Sequence, residues 1–279
     1  MAKKITFGNF KGGTGKTTNS TMVAYHLAKK GYKTLLVDLD PQANATAMLL
    51  LTVQNQKDIV VNFETTLMTA IAENNLTKIV TEINDKLFLL PSFADFTSYP
   101  LYLEKKFPDS IKERGLYFKK LLSEFDKEYD YIIFDIPPTL SLFTDSAMLA
   151  SDYVVIVLQT QERSFVGAEA FIQYMQELLD NYEVNFDILG ILPVLLKNNA
   201  IVDKSVLKNA KETFGESNLF ENIVKNMERL KRYDMTGIID PEVNKKFDVH
   251  DMNVHRLYDK VTAELIERGN SHEWIIEKE

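Results

Sequence analysis

The sequence predicts an α/β protein built on a mostly parallel, twisted sheet with helices on both faces. Three observations lead there. Short β-branched and aliphatic runs recur along the chain, helical patterns separate them, and the runs are apolar at nearly every position instead of every second one. Strands covered on both faces have that composition, whereas a strand with one wet face alternates. The runs are ITFGN (5–9), TLLVDLD (34–40), LFLLPS (87–92), YIIFDIP (131–137), YVVIVLQT (153–160) and FDILGILPVLL (186–196).

Between them, TTNSTMVAYHLAKKG (17–31) reads as a helix closed by Gly31, a residue free to take the left-handed conformation of a C-cap. The segment FETTLMTAIAENNLTKIVTEI (63–83) is expected to be helical cover for the sheet, and SFVGAEAFIQYMQELLDNY (164–182) has apolar residues at helical spacing. With 279 residues, 45% hydrophobic, and neither a linker-like stretch nor an internal repeat, the chain is expected to form one domain over 1–279. Its core is expected at about 3–240, with a C-terminal helical segment at about 241–279.

Cysteine is absent, which excludes disulfides, thiolate zinc sites, iron–sulfur clusters and a cysteine nucleophile. The N-terminal MAKKITFGN enters the first strand without an apolar signal region, and no stretch approaches about 18 continuous apolar residues. A soluble cytoplasmic protein is expected. Net charge is −8 at pH 7, so nucleic acid or an anionic membrane would have to meet a local basic patch. The four histidines, 26, 250, 255 and 272, show no i, i+4 ligand pair, and no transition-metal site is expected.

Parallel sheets bind ligands at the carboxyl ends of their strands, and the chemical motifs lie there. After ITFGN come Lys11, Gly12, Gly13, Thr14, Gly15, Lys16, Thr17 and Thr18, followed by a helix. Glycines let successive N–H groups converge on one point, and the helix N-terminus adds its dipole. In such a loop Lys16 reaches the β- and γ-phosphates of a nucleotide and the Thr17 hydroxyl ligates Mg²⁺, which refines the fold class to P-loop NTPase. Phe10 stands where the ordinary loop has its first glycine, and Lys11 is an additional lysine. Lys16 already fills the phosphate position. Lys11 is therefore either a solvated surface residue or a charge supplied across a dimer interface to the other subunit's phosphates, as an arginine finger is. Asp38 and Asp40 close one strand and Asp135 another, where a buried carboxylate needs water, metal or a lysine to receive it.

The motifs KGGTGKTT, VDLDPQANAT (37–46), YDYIIFDIPPTL (129–140) and SDYVVIVLQTQERSFVGAEAFI (151–172) resemble, in order and spacing, the ParA/Soj/MinD family of deviant-Walker ATPases, and most closely its plasmid-partition branch. The resemblance is strong over about 3–195. It implies a slow ATPase requiring ATP and Mg²⁺, with Lys11, Lys16 and Asp40 catalytic. Asp40 would orient the attacking water, Asp38 and Asp135 would support the Mg²⁺ with Thr17, and Gln42 and Asn44 would join a first switch. It also implies an ATP-dependent homodimer, non-specific binding to double-stranded DNA, a centromere-binding ParB-type protein that stimulates hydrolysis, and a nucleoid-associated location.

Beyond residue 195 the pattern loosens. Adenine contacts are assigned to Asn198, Val224 and Lys225, although Val224 replaces a family proline. DNA contacts are assigned to Lys225, Arg229, Lys231 and Arg232, which face the single acid Glu228 between Asn222 and Tyr233, with Lys245 and Lys246 further on. Two alternatives remain open. A MinD-like membrane-positioning ATPase would need a basic amphipathic C-terminal helix, and SHEWIIEKE is short and acidic. A metabolic ligase on the same fold would need a second-substrate pocket, for which no residues stand out.

Overall fold

The structure, a computed structural model, describes residues 1–195, 197 and 200–271. Each of the apolar runs forms a strand: β1 (Lys3–Gly8), β2 (Thr34–Asp38), β4 (Leu87–Leu90), β5 (Tyr131–Asp135), β6 (Tyr153–Gln159) and β7 (Asp187–Val194). With β3 (Thr81–Glu82) they make a seven-stranded sheet in the order β3-β4-β2-β5-β1-β6-β7, parallel throughout except for β3. Strand residues alternate between two cores, as a sheet with both faces covered requires. Val154, Ile156 and Leu158 of β6 point into one, and Val155 and Val157 into the other. Each buried aliphatic side chain contributes about 1.5–3 kcal/mol over its exposed state.

The first core is covered by α3 (Leu67–Ala72), α4 (Tyr99–Lys106), α5 (Ile111–Leu122), α6 (Leu142–Ala150) and α7 (Glu162–Asn181), with α8 (Ile201–Phe214) beside α7. The second is covered by α1 (Lys16–Lys29), α2 (Asn44–Lys57), α9 (Glu228–Thr236) and α10 (Val249–Ser271). Helix α7 lies directly on β1. A Cβ at Gly8 would sit 2.2 Å from the Phe171 ring, so only glycine admits this packing.

Segment 63–83 departs from the expected helical cover. Thr66 caps α3 by accepting a hydrogen bond from the Thr69 N–H, but the helix stops at Ala72. Asn74 then takes a left-handed φ of 55°, a conformation its side chain tolerates, and breaks the helical run. A 3₁₀ turn (Leu76–Ile79) follows, and Thr81–Glu82 becomes the antiparallel edge strand paired with Leu89 and Phe88. Helix α10 begins only at Val249, after a turn in which Asp240 accepts the Glu242 N–H, and residues 272–279 lie outside the described residues.

Helix α10 is fastened to α1 by buried polar groups. His255 Nε2 lies 3.0 Å from the Ile239 carbonyl, and its Nδ1 lies 3.1 Å from His26 Nε2. A carbonyl only accepts, so His255 Nε2 carries the proton, Nδ1 accepts, and His26 Nε2 donates. Protonating His255 Nδ1 would set two donors face to face. Burial first, and then the neighbouring His255, hold His26 down to about 3, and burial lowers His255 as well, although Asp240, Asp251 and Asp259 pull upward. Below about pH 6.5 the unfolded chain therefore binds protons that the folded chain refuses, and stability falls with pH by up to ~1.4 kcal/mol per unit per histidine. Asp38 and Asp135, whose pKa values are raised, act in the opposite sense, so the contribution of the pair is isolated by comparison. Urea unfolding at pH 7.5 and 5.5 is expected to show a larger acid loss in the wild type than in His26→Gln.

Candidate phosphate-loop site

Strand β1 delivers the chain to the loop, and Asn9 holds its start. Asn9 is buried, donates from Nδ2 to the carbonyls of Val157 (3.0 Å) and Ser164 (3.3 Å), and accepts the Lys11 N–H at 2.8 Å. Gly167 leaves room for this, since a Cβ there would be 2.8 Å from Asn9 Oδ1. Gly13 (φ 72°) and Gly15 (φ 90°) then take left-handed conformations, and α1 opens at Lys16 with no side-chain cap on its first N–H groups. Those donors face a cleft of about 640 Å³.

The cleft runs from Gly13–Asn19 past Asp40 and Gln42 to the segment around Val224–Asp234. Lys16 is almost wholly buried and donates to the Lys11 carbonyl at 3.2 Å. Burial lowers its ammonium to about 8, against the upward pull of Asp135 and Asp40. Asp135 and Asp38 are register partners on β5 and β2. Burial, followed by the charge of Asp38, lifts the Asp135 carboxyl to about 8, while Thr17 and Lys16 pull it down. Asp135 Oδ1 accepts the Ser20 hydroxyl at 3.2 Å, and Oδ2 is buried without a partner. That orphaned oxygen beside Thr17 fits a hard cation completed by water and phosphate oxygens. Among the described residues, no group of three His, Cys, Asp or Glu forms a protein-only metal cage.

Asp38, expected to support the Mg²⁺ shell, stands beside Asp135 in the sheet register. Its carboxylate is spent on the neighbouring loop: Oδ1 accepts the Asp40 N–H (3.1 Å), and Oδ2 accepts both the N–H and the hydroxyl of Thr46 (2.9 and 2.8 Å). It staples the loop that presents Asp40. Asp40 in turn accepts the Gln42 N–H at 2.9 Å, and Gln42 and Asn44 line the cleft. Lys11 turns its ammonium toward Gln159 of the same chain, 3.4 Å away, and Gln159 itself lines the cleft. Thr14 donates to the Lys11 carbonyl at 3.4 Å, Gly12 lies against Pro138, and Thr18 lines the cleft with Thr17.

At the far end, Val224 pairs with β7 as an added bridge: its N–H donates to the Pro193 carbonyl, and its own carbonyl accepts the Leu195 N–H. Val224 and Lys225 line this end of the cleft, and Asn198 lies outside the described residues. Met227, Leu230 and Asp234 also wall this end, which no sequence motif marks. The four basic candidates separate. Lys225 and Arg232 are exposed, and Lys231 is exposed but pairs with Glu228 at 2.7 Å. Arg229, expected on DNA, is half-buried and paired with Asp248 and with the buried Asp251, which ties α9 to the start of α10.

A glycine loop from strand to helix, a buried lysine and a strand-end carboxylate in one cleft define a P-loop nucleotide-binding protein. A family model described as an AAA domain matches residues 2–188. The chain is 28% identical to the chromosome-partitioning ATPase Soj of Treponema pallidum, over 96% of this chain and 98% of that protein. It is 35% identical to a virulence-plasmid ParA family protein of Chlamydia psittaci, over 68% of each. The chain belongs to the ParA/Soj family of partition ATPases. A plasmid partition protein from Borrelia burgdorferi bound to AMPPNP shares the fold at a TM-score of 0.74 and 22% identity, covering 98% of this chain and 100% of that one. Cobyrinic acid a,c-diamide synthase from Mycobacterium smegmatis shares it at 0.72 and 20%, covering 98% and 97%. The architecture by itself therefore serves both partition and synthesis, and only the site separates them.

Proposed function

We propose that this chain is a partition ATPase for a plasmid or chromosome, whose ATP-bound homodimer is the DNA-binding state. The observation that carries this is the second lysine. Lys16 fills the phosphate position, while the Lys11 ammonium makes a long contact, 3.4 Å, to Gln159 on the cleft wall. The N–H groups of Gly12–Thr18 and the Lys16 ammonium hold the β- and γ-phosphates, and the base lies toward Val224 and Lys225. Thr17 and Asp135 would hold Mg²⁺, which when bound supplies positive charge against the phosphate oxygens. Asp38 keeps the Asp40 loop in place. Asp40 orients a water, whose oxygen bonds to the γ-phosphorus as the bond to the ADP oxygen breaks. Lys16 and the Lys11 of a second copy stabilise the charge that develops. Hydrolysis ends the dimer.

Lys225, Lys231 and Arg232, with Lys245 and Lys246, give a basic surface that reads the DNA backbone without reading sequence. A centromere-binding ParB-type protein stimulates the slow hydrolysis, and the ATP form is nucleoid-associated. The names of the Treponema and Chlamydia relatives support this reading. Among the described residues, no helix is long and apolar enough to cross a membrane.

The test is binding to random-sequence duplex DNA with ADP or ATPγS, wild type beside Lys11→Ala, at two salt concentrations. ATPγS alone is expected to promote salt-sensitive binding, and Lys11→Ala to lose it while still binding nucleotide. Nucleotide binding with no DNA binding in either state would overturn the DNA role and direct attention to a second substrate.

A further inference from the structure

We propose that Tyr258, on α10 and outside the residues matched by the family model, is a positioning residue for the phosphate loop, acting through Asn19. The inference rests on that loop being the nucleotide site. Asn19 sits one turn into α1 and is buried, as is Tyr258. Its backbone N–H donates to the Gly15 carbonyl at 2.9 Å, and its side-chain Nδ2 donates to the same oxygen at 2.7 Å. The Tyr258 hydroxyl donates to Asn19 Oδ1 at 2.9 Å. An amide can be turned end for end at little steric cost, and only its partners decide which end is oxygen. The Gly15 carbonyl only accepts and so fixes Nδ2 toward itself, while the Tyr258 hydroxyl, which could serve either end, donates to the Oδ1 left on the other side and anchors the side chain. Without that donor Oδ1 is buried with its bond lost, and the amide is held less firmly on the Gly15 carbonyl.

The consequence passes through one planar peptide. Because the unit joining Gly15 to Lys16 is trans, a carbonyl pulled down into α1 aims the Lys16 N–H the opposite way, out of the helix end and toward incoming phosphate oxygen. Gly15, at a φ of 90°, has the backbone freedom to let this unit rotate, so the doubled hydrogen bond holds a joint that is otherwise loose. Residue 258 thereby sets a donor of residue 16. The same helix is tied to α9 by Arg229, which pairs with Asp248 and Asp251, and α9 carries the basic Lys231 and Arg232.

The test measures ATPγS affinity, melting temperature, and KM and kcat for ATP in the full chain. Five proteins are compared: wild type, Tyr258→Phe, Asn19→Ala, the double variant and Tyr25→Phe. Tyr25 donates a buried hydroxyl to Asp240 at 2.9 Å between α1 and the C-terminal region, without touching the loop, and serves as the control for lost packing. Loss of one buried hydrogen bond predicts ATPγS binding weaker by about five- to tenfold in Tyr258→Phe, with KM raised alike and kcat changed less. Asn19→Ala should lose as much, the double variant no more than Asn19→Ala alone, and Tyr25→Phe should melt earlier at wild-type affinity. Wild-type affinity in Tyr258→Phe would overturn the inference, as would a full further loss when it is added to Asn19→Ala. Should Tyr258→Phe not fold, unchanged affinity in Asn19→Ala overturns it instead. Failure of the wild type itself to bind ATPγS would refute the nucleotide reading, a result distinct from all of these.

Discussion

Lys16→Ala is expected to weaken ATPγS binding by roughly a hundredfold or more and to abolish ATP turnover, while the chain still folds. The first part follows from where the charge sits. An ammonium removed from water interacts with phosphate far more strongly than a surface lysine does, and the other lysines on the cleft wall, Lys225 and Lys231, are exposed and stand at its far end. The second part follows from Asp135. Removing one partner of a buried pair costs ~3–5 kcal/mol when the remaining charge cannot escape. Burial and Asp38 already push the Asp135 carboxyl to about 8, so without Lys16 it takes a proton at neutral pH and the cost is reduced. A carboxyl raised in the folded state loses stability as pH rises through that raised value. The nucleotide-free variant should therefore melt lower at pH 8.5 than at pH 6.5, by more than the wild type does. Titration calorimetry and melting curves at the two pH values check both parts.

Gly237→Ala is expected to be the most damaging single methyl addition, at about 3–5 kcal/mol. Gly237 ends α9 at a φ of 67°, and a Cβ there would lie 2.4 Å from Thr52 N and 2.6 Å from Leu51 C, both backbone atoms of α2. Backbone in the middle of a helix cannot step aside, so α9 must lift. Lifting breaks the bond from the Ile238 N–H to the Thr52 hydroxyl (2.8 Å) and the one from Asn55 to the Thr236 carbonyl. It also widens the cleft, because Leu230 and Asp234 of α9 face Asn44 and Ala47 of α2 across it, so nucleotide affinity falls with stability. Gly215→Ala is the contrast. Its φ is similarly left-handed at 84°, but the nearest atom is the Asn218 side chain at 3.4 Å, and only about 1 kcal/mol of backbone strain is expected. Urea unfolding of the two variants beside the wild type measures the difference.

Much of this architecture is legible in the sequence because its signals are local. YIIFD and YVVIVLQ announce buried strands by composition alone, and KGGTGKTT announces its loop because glycine and lysine at that spacing serve few other purposes. What escapes is long-range pairing. Nothing in the sequence joins His26 to His255 or Asn19 to Tyr258, since each contact depends on how α10 lies on α1. Arg229 read as one of four free cations because its acids, Asp248 and Asp251, follow a turn that composition does not reveal. Asp38 read as a metal neighbour because a strand-end carboxylate looks the same whether a cation or the Thr46 N–H receives it. The helix expected over 63–83 failed at the Asn74–Asn75 pair, where a short polar side chain made a turn cheaper than continued helix.

The borders of the sheet bear on crowding. At one margin only Thr81 and Glu82 are left to offer main-chain groups, and they run antiparallel, while at the other the stretch from Leu219 to Val224 lies along β7 and occupies Ile191, Pro193 and Val194. Among the described residues, neither margin presents a long open ladder on which a neighbouring molecule could grow a strand. Copies of this chain at high concentration can therefore collide often without knitting into fibrils.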